Sequence, residues 1–194
     1  MKRLIFAVCL LALVVAGARA QAPAPLPDAE WKKWLNLIDP LLMDAERKDA
    51  KTTAPSQRTK FQEAFWAARN PNPAGPDNPF RVEIETRMAA AEKRFLINGR
   101  KWNDCGRTFL LLGKPDWQKD THVAQHFGAP DPLRAFQDQE QTATEQWLYR
   151  SHPSLPPSPR GISFRFNPSC ESMGGHTSDQ LLSQVATSYV VKPK

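Results

Sequence analysis

The sequence predicts an α+β fold: N-terminal helices, then a small antiparallel or mixed sheet, then a C-terminal helix. Three observations predict it. Apolar residues recur at helical spacing early in the chain, as in Trp31, Trp34, Leu35 and Ile38. Short alternating runs follow later, at 146–149 and 161–166. A last amphipathic stretch, 177–189, sets Leu181, Leu182, Val185 and Tyr189 toward a core.

The chain begins with the pattern of a signal peptide over residues 1–20. Lys2 and Arg3 precede an apolar run from Leu4 to Ala16, and Ala18-Arg19-Ala20 supplies small processing residues. The run is short for a stable membrane span, and none is expected after cleavage. Cys9 lies inside it without the small residues that precede a lipidated cysteine. Cleavage removes three bases and no acid, so the formal charge of +6 becomes +3. No dense Lys/Arg run remains, which argues against nucleic acid as a partner. The expected location is periplasmic or secreted.

Residues 21–55 read as a leader and helix packed on the domain, and 56–194 as a single α+β domain. QAPAPLP at 21–27 is extended, because proline fixes φ and removes donors. Asp28 is placed to cap the first helix, and Asp39-Pro40 ends or bends it. Residues 44–60 are charged and polar, with Ser56 able to start the next helix. Phe61, Ala64, Phe65 and Ala68 are its expected buried face. The four prolines and three asparagines of 69–79 form a shaped loop.

Pro79 pre-sets a third helix, with Val82, Thr86, Ala89, Ala90 and Lys93 along it. Its early acids and late bases suit the helix dipole. Arg107–Leu112 is expected as a buried strand, stopped by a Gly113-Lys114-Pro115-Asp116 turn. Strands 146–150 and 161–166 are expected to pair across a proline-rich loop.

Several groups carry candidate chemistry. Cys105 and Cys170 form an even pair in a compartment that permits disulfides, so a bridge is one reading and two separate thiols the other. No local base supports a catalytic cysteine. His122 and His126 stand at i,i+4, a spacing that can hold one metal, with His176 and Glu171 available only by folding. Val123 replaces the glutamate of the zinc-protease signature. Gly174-Gly175 can cradle an anion or simply open the last helix. Trp31 and Trp117 are the tryptophans best placed to be exposed contacts.

In order, the chain carries RNPNPAGPDNPF at 69–80, KRF at 93–95 and WNDCGR at 102–107. GKPD at 113–116, EQWLYR at 145–150 and FRF at 164–166 follow. This succession resembles the GWxTD domain, a family of exported bacterial domains whose molecular function is not established. The resemblance spans about residues 61–167. Asn78 matches the asparagine after the proline loop. Trp102, Asp104, Gly106 and Arg107 match the naming motif and the stretch after it. The motif here is one residue shorter between Trp and Asp and lacks its threonine. Its glycine is replaced by Lys101 or displaced to Gly99, and Cys105 replaces the arginine that follows.

The resemblance implies export and supplies no catalytic residues. The expected ligand or structural network is Arg69, Asn78, Trp102, Asp104, Arg107, Asp116 and Glu145, with Arg69 and Glu145 joining an Asp104–Arg107 pair. The leading expectation is a non-enzymatic exported domain that binds a protein partner or envelope component, with no cofactor. The alternatives are a metal-dependent hydrolase built on His122 and His126, or a small-ligand or carbohydrate module using exposed tryptophans.

Overall fold

A computed structural model of the chain describes residues 25–120 and 145–191. It has the expected α+β architecture, helices first and a three-stranded sheet before a C-terminal helix. Residues 1–24, where a signal peptide is expected, lie outside the described residues, as do His122 and His126. Among the described residues no helix is long and apolar enough to cross a membrane.

Helix α1 (Asp28–Ile38) begins after Pro27, with Asp28 and Glu30 in the first turn where the dipole favours acids. Asp39–Leu41 is a 3-10 turn that redirects the chain at Pro40. The polar stretch beyond it is a helix, α2 (Asp44–Thr52), where the sequence shows no apolar period. The Met43 backbone N–H donates to Glu46 Oε2 at 2.8 Å, and only Ala50 of this helix is buried. Charge pairing to the rest of the fold, not an apolar face, holds α2 in place.

Helix α3 (Arg58–Ala67) buries Phe65 and Trp66, whereas Ala64 is exposed and Phe61 and Ala68 are half-buried. Helix α4 (Pro79–Phe95) starts at Asn78, whose side chain accepts from the Arg81 N–H at 3.1 Å. Its buried face is Ile84, Ala91 and Phe95, and Val82 is 59% exposed. The expected helix forms, and Ala89, Ala90 and Lys93, which run along it, are exposed as Val82 is. Phe80 and Met88 are partly buried and pack against the same core.

Strands β1 (Leu96–Ile97) and β2 (Lys101–Trp102) form a small antiparallel hairpin. Asn98 and Gly99 carry φ of 51° and 67°, the left-handed pair of the turn that suits the twist of paired strands.

The segment expected as a strand at 107–112 is instead helical: α5 (Asp104–Leu112). Four apolar residues in a row fit a buried strand and a buried helix equally well. Two residues decide it. The Asn103 side chain accepts from the Gly106 N–H at 2.8 Å and opens the helix. Gly113, at φ 74°, closes it. The helix is buried almost all round, through Cys105, Gly106, Thr108, Leu110, Leu111 and Leu112. A Cβ at Gly106 would sit 2.8 Å from both Phe95 and Trp102, so that glycine lets α4, β2 and α5 meet.

Strands β3 (Trp117–Asp120), β4 (Glu145–Tyr149) and β5 (Ile162–Phe166) form an antiparallel sheet in that order. The expected pairing of these two strands forms, with Trp147 opposite Phe164 and Glu145 opposite Phe166. The inner face packs Trp147 against Phe95 and Phe166 at ring separations of 5.9 and 5.1 Å. Helix α6 (Gly175–Ser188) closes the core with Leu182, Val185 and Ala186.

Candidate functional site

The motif residues converge on the start of α5. The Asp104 N–H donates to the Cys170 carbonyl at 3.0 Å. Its carboxylate accepts from the Ser172 N–H at 2.7 Å and from Arg107 at 3.3 Å. Arg107 reaches on to Asp179 of α6 at 3.1 Å. Cys105 and Cys170 are joined by a disulfide, with Cα atoms 5.3 Å apart. Cys170 sits in the left-handed region at φ 60°, on a turn braced by Asn167, whose side chain accepts from the Ser169 and Glu171 N–H groups. Segment 167–172 is thus fastened to α5 covalently and through backbone bonds.

Glu145 lies beside the disulfide. Its Oε1 accepts from Trp147 Nε1 at 2.8 Å, from Arg94 at 3.1 Å and from Gln118. Its Oε2 points at Cys170 Sγ, 4.0 Å away. Only 12% of the Glu145 side chain is exposed.

The expected single network is not what forms. Arg69, 1% exposed, pairs with Glu46 through both carboxylate oxygens at 2.8 and 2.7 Å. It also donates to the carbonyls of Leu41 and Phe65, at 2.9 and 3.1 Å, and takes no part in the Asp104–Arg107 pair. Asn78 caps α4 and donates to the Trp66 carbonyl at 2.7 Å. Trp102 Nε1 donates to the Leu37 carbonyl at 2.9 Å, fixing α1 on β2. Asp116 accepts from the Arg150 N–H at 2.6 Å and ties β3 to the end of β4. Glu145 meets the α5 start through the disulfide and not through Asp104 or Arg107. The resemblance grouped these residues from matched segments; three-dimensional packing assigns them to separate joints.

Other candidates also resolve. Trp31 is buried at 5%, stacked on Trp34 and edge-on to Phe61, which corrects its expected exposure. Trp117 is 41% exposed, as expected. Trp34 and Trp66 border a cavity of about 430 Å³, but Arg81 lies 5.6 Å over Trp66 and Trp31 stacks on Trp34. Those ring faces are already occupied. His176 is exposed and paired with Gln180 at 3.1 Å, and Glu171 accepts from Asn167 at 2.7 Å, so neither joins the other at a metal. Gly175 opens α6 at φ 52°. Among the described residues, one trio of metal-capable side chains stands close together, Cys105, Cys170 and Glu145, with ligand atoms within 4.8 Å of one another. Its two sulfurs are bonded to each other.

The far end of α5 carries a second constellation that sequence reading missed. Arg87 donates to the carbonyls of Leu110 and Leu111 at 2.8 and 3.0 Å. Tyr189 donates to the Leu111 carbonyl, and Tyr149 to that of Gly113 at 2.9 Å. Helix-end carbonyls lack partners within the helix, and these three side chains supply them. Burial pushes both tyrosine hydroxyls above the usual tyrosine range, against the opposing pull of Arg87. His152, stacked edge-on to Tyr149, is pushed below the usual histidine range by burial and then by Arg87. It lines an 820 Å³ cavity with Leu155 and the prolines of the β4–β5 loop.

No family model matches the chain, and neither a curated protein nor a solved structure matches it.

Proposed function

We propose that this chain is an exported, disulfide-bonded binding domain of the GWxTD type, which docks a protein partner or another envelope component and performs no chemistry on it. One observation carries the reading: the motif residues Asn78, Trp102, Asp104 and Arg107, with Arg69 and Glu145, are spent on joints between this chain's own elements. The disulfide between Cys105 and Cys170 supports an oxidising destination. The N-terminal charge and apolar pattern supports delivery by a signal peptide to the periplasm or beyond.

The contact surface in this reading is the outer face of the three-stranded sheet. Trp117 pairs in register with Leu148, and Leu148 with Ser163, so these three share the face opposite Trp147 and Phe164. Lys119 and Arg165 flank them and are exposed. An exposed indole with basic neighbours suits a partner that offers an apolar pocket with an acidic rim. Affinity purification of the tagged, processed protein from its native envelope, with Trp117→Ala alongside, tests this. The reading expects a stoichiometric partner that Trp117→Ala loses by about 30-fold or more in affinity. Recovery of the protein alone after gentle crosslinking contradicts it.

A further inference from the structure

We infer that the cavity enclosed by the β4–β5 loop binds a small organic acid, with Arg150 meeting its carboxylate and the proline-lined wall receiving its apolar body. This goes beyond the docking of a partner and does not depend on it.

The loop is longer than its connection requires. It joins the paired residues Tyr149 and Ile162 through residues 150–161. A hairpin closes with about two to five residues. The extra length is shaped, not slack. Pro153, Pro156, Pro157 and Pro159 fix its backbone. The Leu155 N–H donates to the His152 carbonyl at 3.0 Å, and the Gly161 N–H to the Ser158 carbonyl at 3.1 Å. The Ser158 hydroxyl donates to the Gly161 carbonyl at 2.9 Å. Leu155, 9% exposed, anchors the middle of the loop in the core. The cavity this leaves measures about 820 Å³, a size that suits a small molecule. A wall fixed before binding spares the ligand the cost of ordering it.

The lining selects the chemistry. Tyr149, Leu155, Ile162 and the four prolines make most of it apolar. Among the described residues that line it, Arg150 is the one charged side chain, and no acid stands there. Arg150 enters none of the ion pairs formed among the described residues. Asp116 holds its backbone N–H, not its guanidinium. His152 adds a second donor. Its Nδ1 accepts from the Ser154 N–H at 3.2 Å. Burial, then Arg87, favours the neutral ring, so its one proton lies on Nε2. The Tyr149 hydroxyl is already spent on the Gly113 carbonyl. An acid therefore meets a guanidinium, an N–H donor and an apolar wall, whereas an amine meets like charge.

The test is a titration of the isotope-labelled full chain, disulfide closed, followed through its backbone amide resonances. The probes are phenylbutyrate and octanoate, with phenylbutanamide and phenylbutylamine as the neutral and cationic matches of the first. Both acids should move the Ser151, His152, Leu155 and Gly161 amides and saturate at millimolar concentration or below. Phenylbutanamide should move the same amides with at least about fivefold weaker affinity, and phenylbutylamine should move none. Arg150→Gln alters an exposed side chain and should bring phenylbutyrate down to the affinity of the neutral amide. Failure of both acids to move these amides at up to about 20 mM overturns the inference. Equal affinity for acid, amide and amine also overturns it, as does undiminished binding of phenylbutyrate to Arg150→Gln. If Arg150→Gln does not fold, the ranking of the three matched probes on the wild type decides alone.

Discussion

The two ends of helix α5 are secured by different chemistry. The N-terminal end is held by a covalent bond, a cap and an ion pair, all drawn from residues close to the motif or from the turn at 167–172. The C-terminal end is held by neutral hydroxyls and one guanidinium, contributed by α4, β4 and the residue after α6. Both solve the same problem, since a buried helix must satisfy the backbone groups left unpaired at its termini. They fail under different conditions. A reductant attacks the first end, and alkali attacks the second.

The largest expected effect breaks the first end. Replacing Cys105 and Cys170 together by serine opens a loop that spans a sequence separation of 65. Chain-entropy arguments put the loss near 4 kcal/mol. Urea denaturation of the oxidised wild type and the double variant measures it, and equal midpoints would show that the bond adds nothing.

The next effect breaks the second end. Tyr149→Phe leaves the Gly113 carbonyl without its buried donor and costs about 1–3 kcal/mol. The pH dependence has a definite sign. The folded Tyr149 holds its proton to a higher pH than the unfolded chain, whose hydroxyl titrates near 10.0. Its stabilisation is therefore complete below pH 10 and is lost progressively as pH rises above it. Chemical denaturation from about pH 8 to about pH 11 should show a decline that is shallower in Tyr149→Phe. Parallel declines would place the alkaline sensitivity elsewhere.

The difference between the ends also explains what the sequence makes legible. The first end lies in a short run, Trp102 to Arg107, whose residue types and order stand out, and its cysteine pair is visible by arithmetic. The second end is assembled from Arg87, Tyr149 and Tyr189, which are far apart and unremarkable where they stand. The strand expectation at 107–112 fails for a related reason. Phe109 to Leu112 does not reveal its period, and the deciding features are a cap at Asn103 and a left-handed Gly113. Arg69 is misassigned because its partner Glu46 sits in a segment without apolar periodicity. The alternation of Trp147 with Tyr149, and of Phe164 with Phe166, is read correctly because one face of that sheet is buried and a period of two records it directly.

Smaller effects sharpen the comparison. Asn103→Ala removes the cap of α5 at the cost of about 1 kcal/mol, measured by thermal or urea unfolding. A loss below a few tenths would mean that the disulfide alone sets this end. Arg107→Ala removes partly exposed pairs to Asp104 and Asp179 and should cost under about 1 kcal/mol, diminishing with added salt. A larger, salt-independent loss would show that this pair is a main support of the N-terminal end.

The most direct test of the two-ended account is residue-resolved hydrogen exchange of the native chain before and after reduction. The account predicts that reduction lowers protection of the Asp104, Gly106 and Ser172 amides, whose acceptors lie at the stapled end. It predicts that the Gly113 amide, bonded to the Phe109 carbonyl at 2.7 Å, keeps its protection. Equal loss at both ends, or none at either, would contradict it.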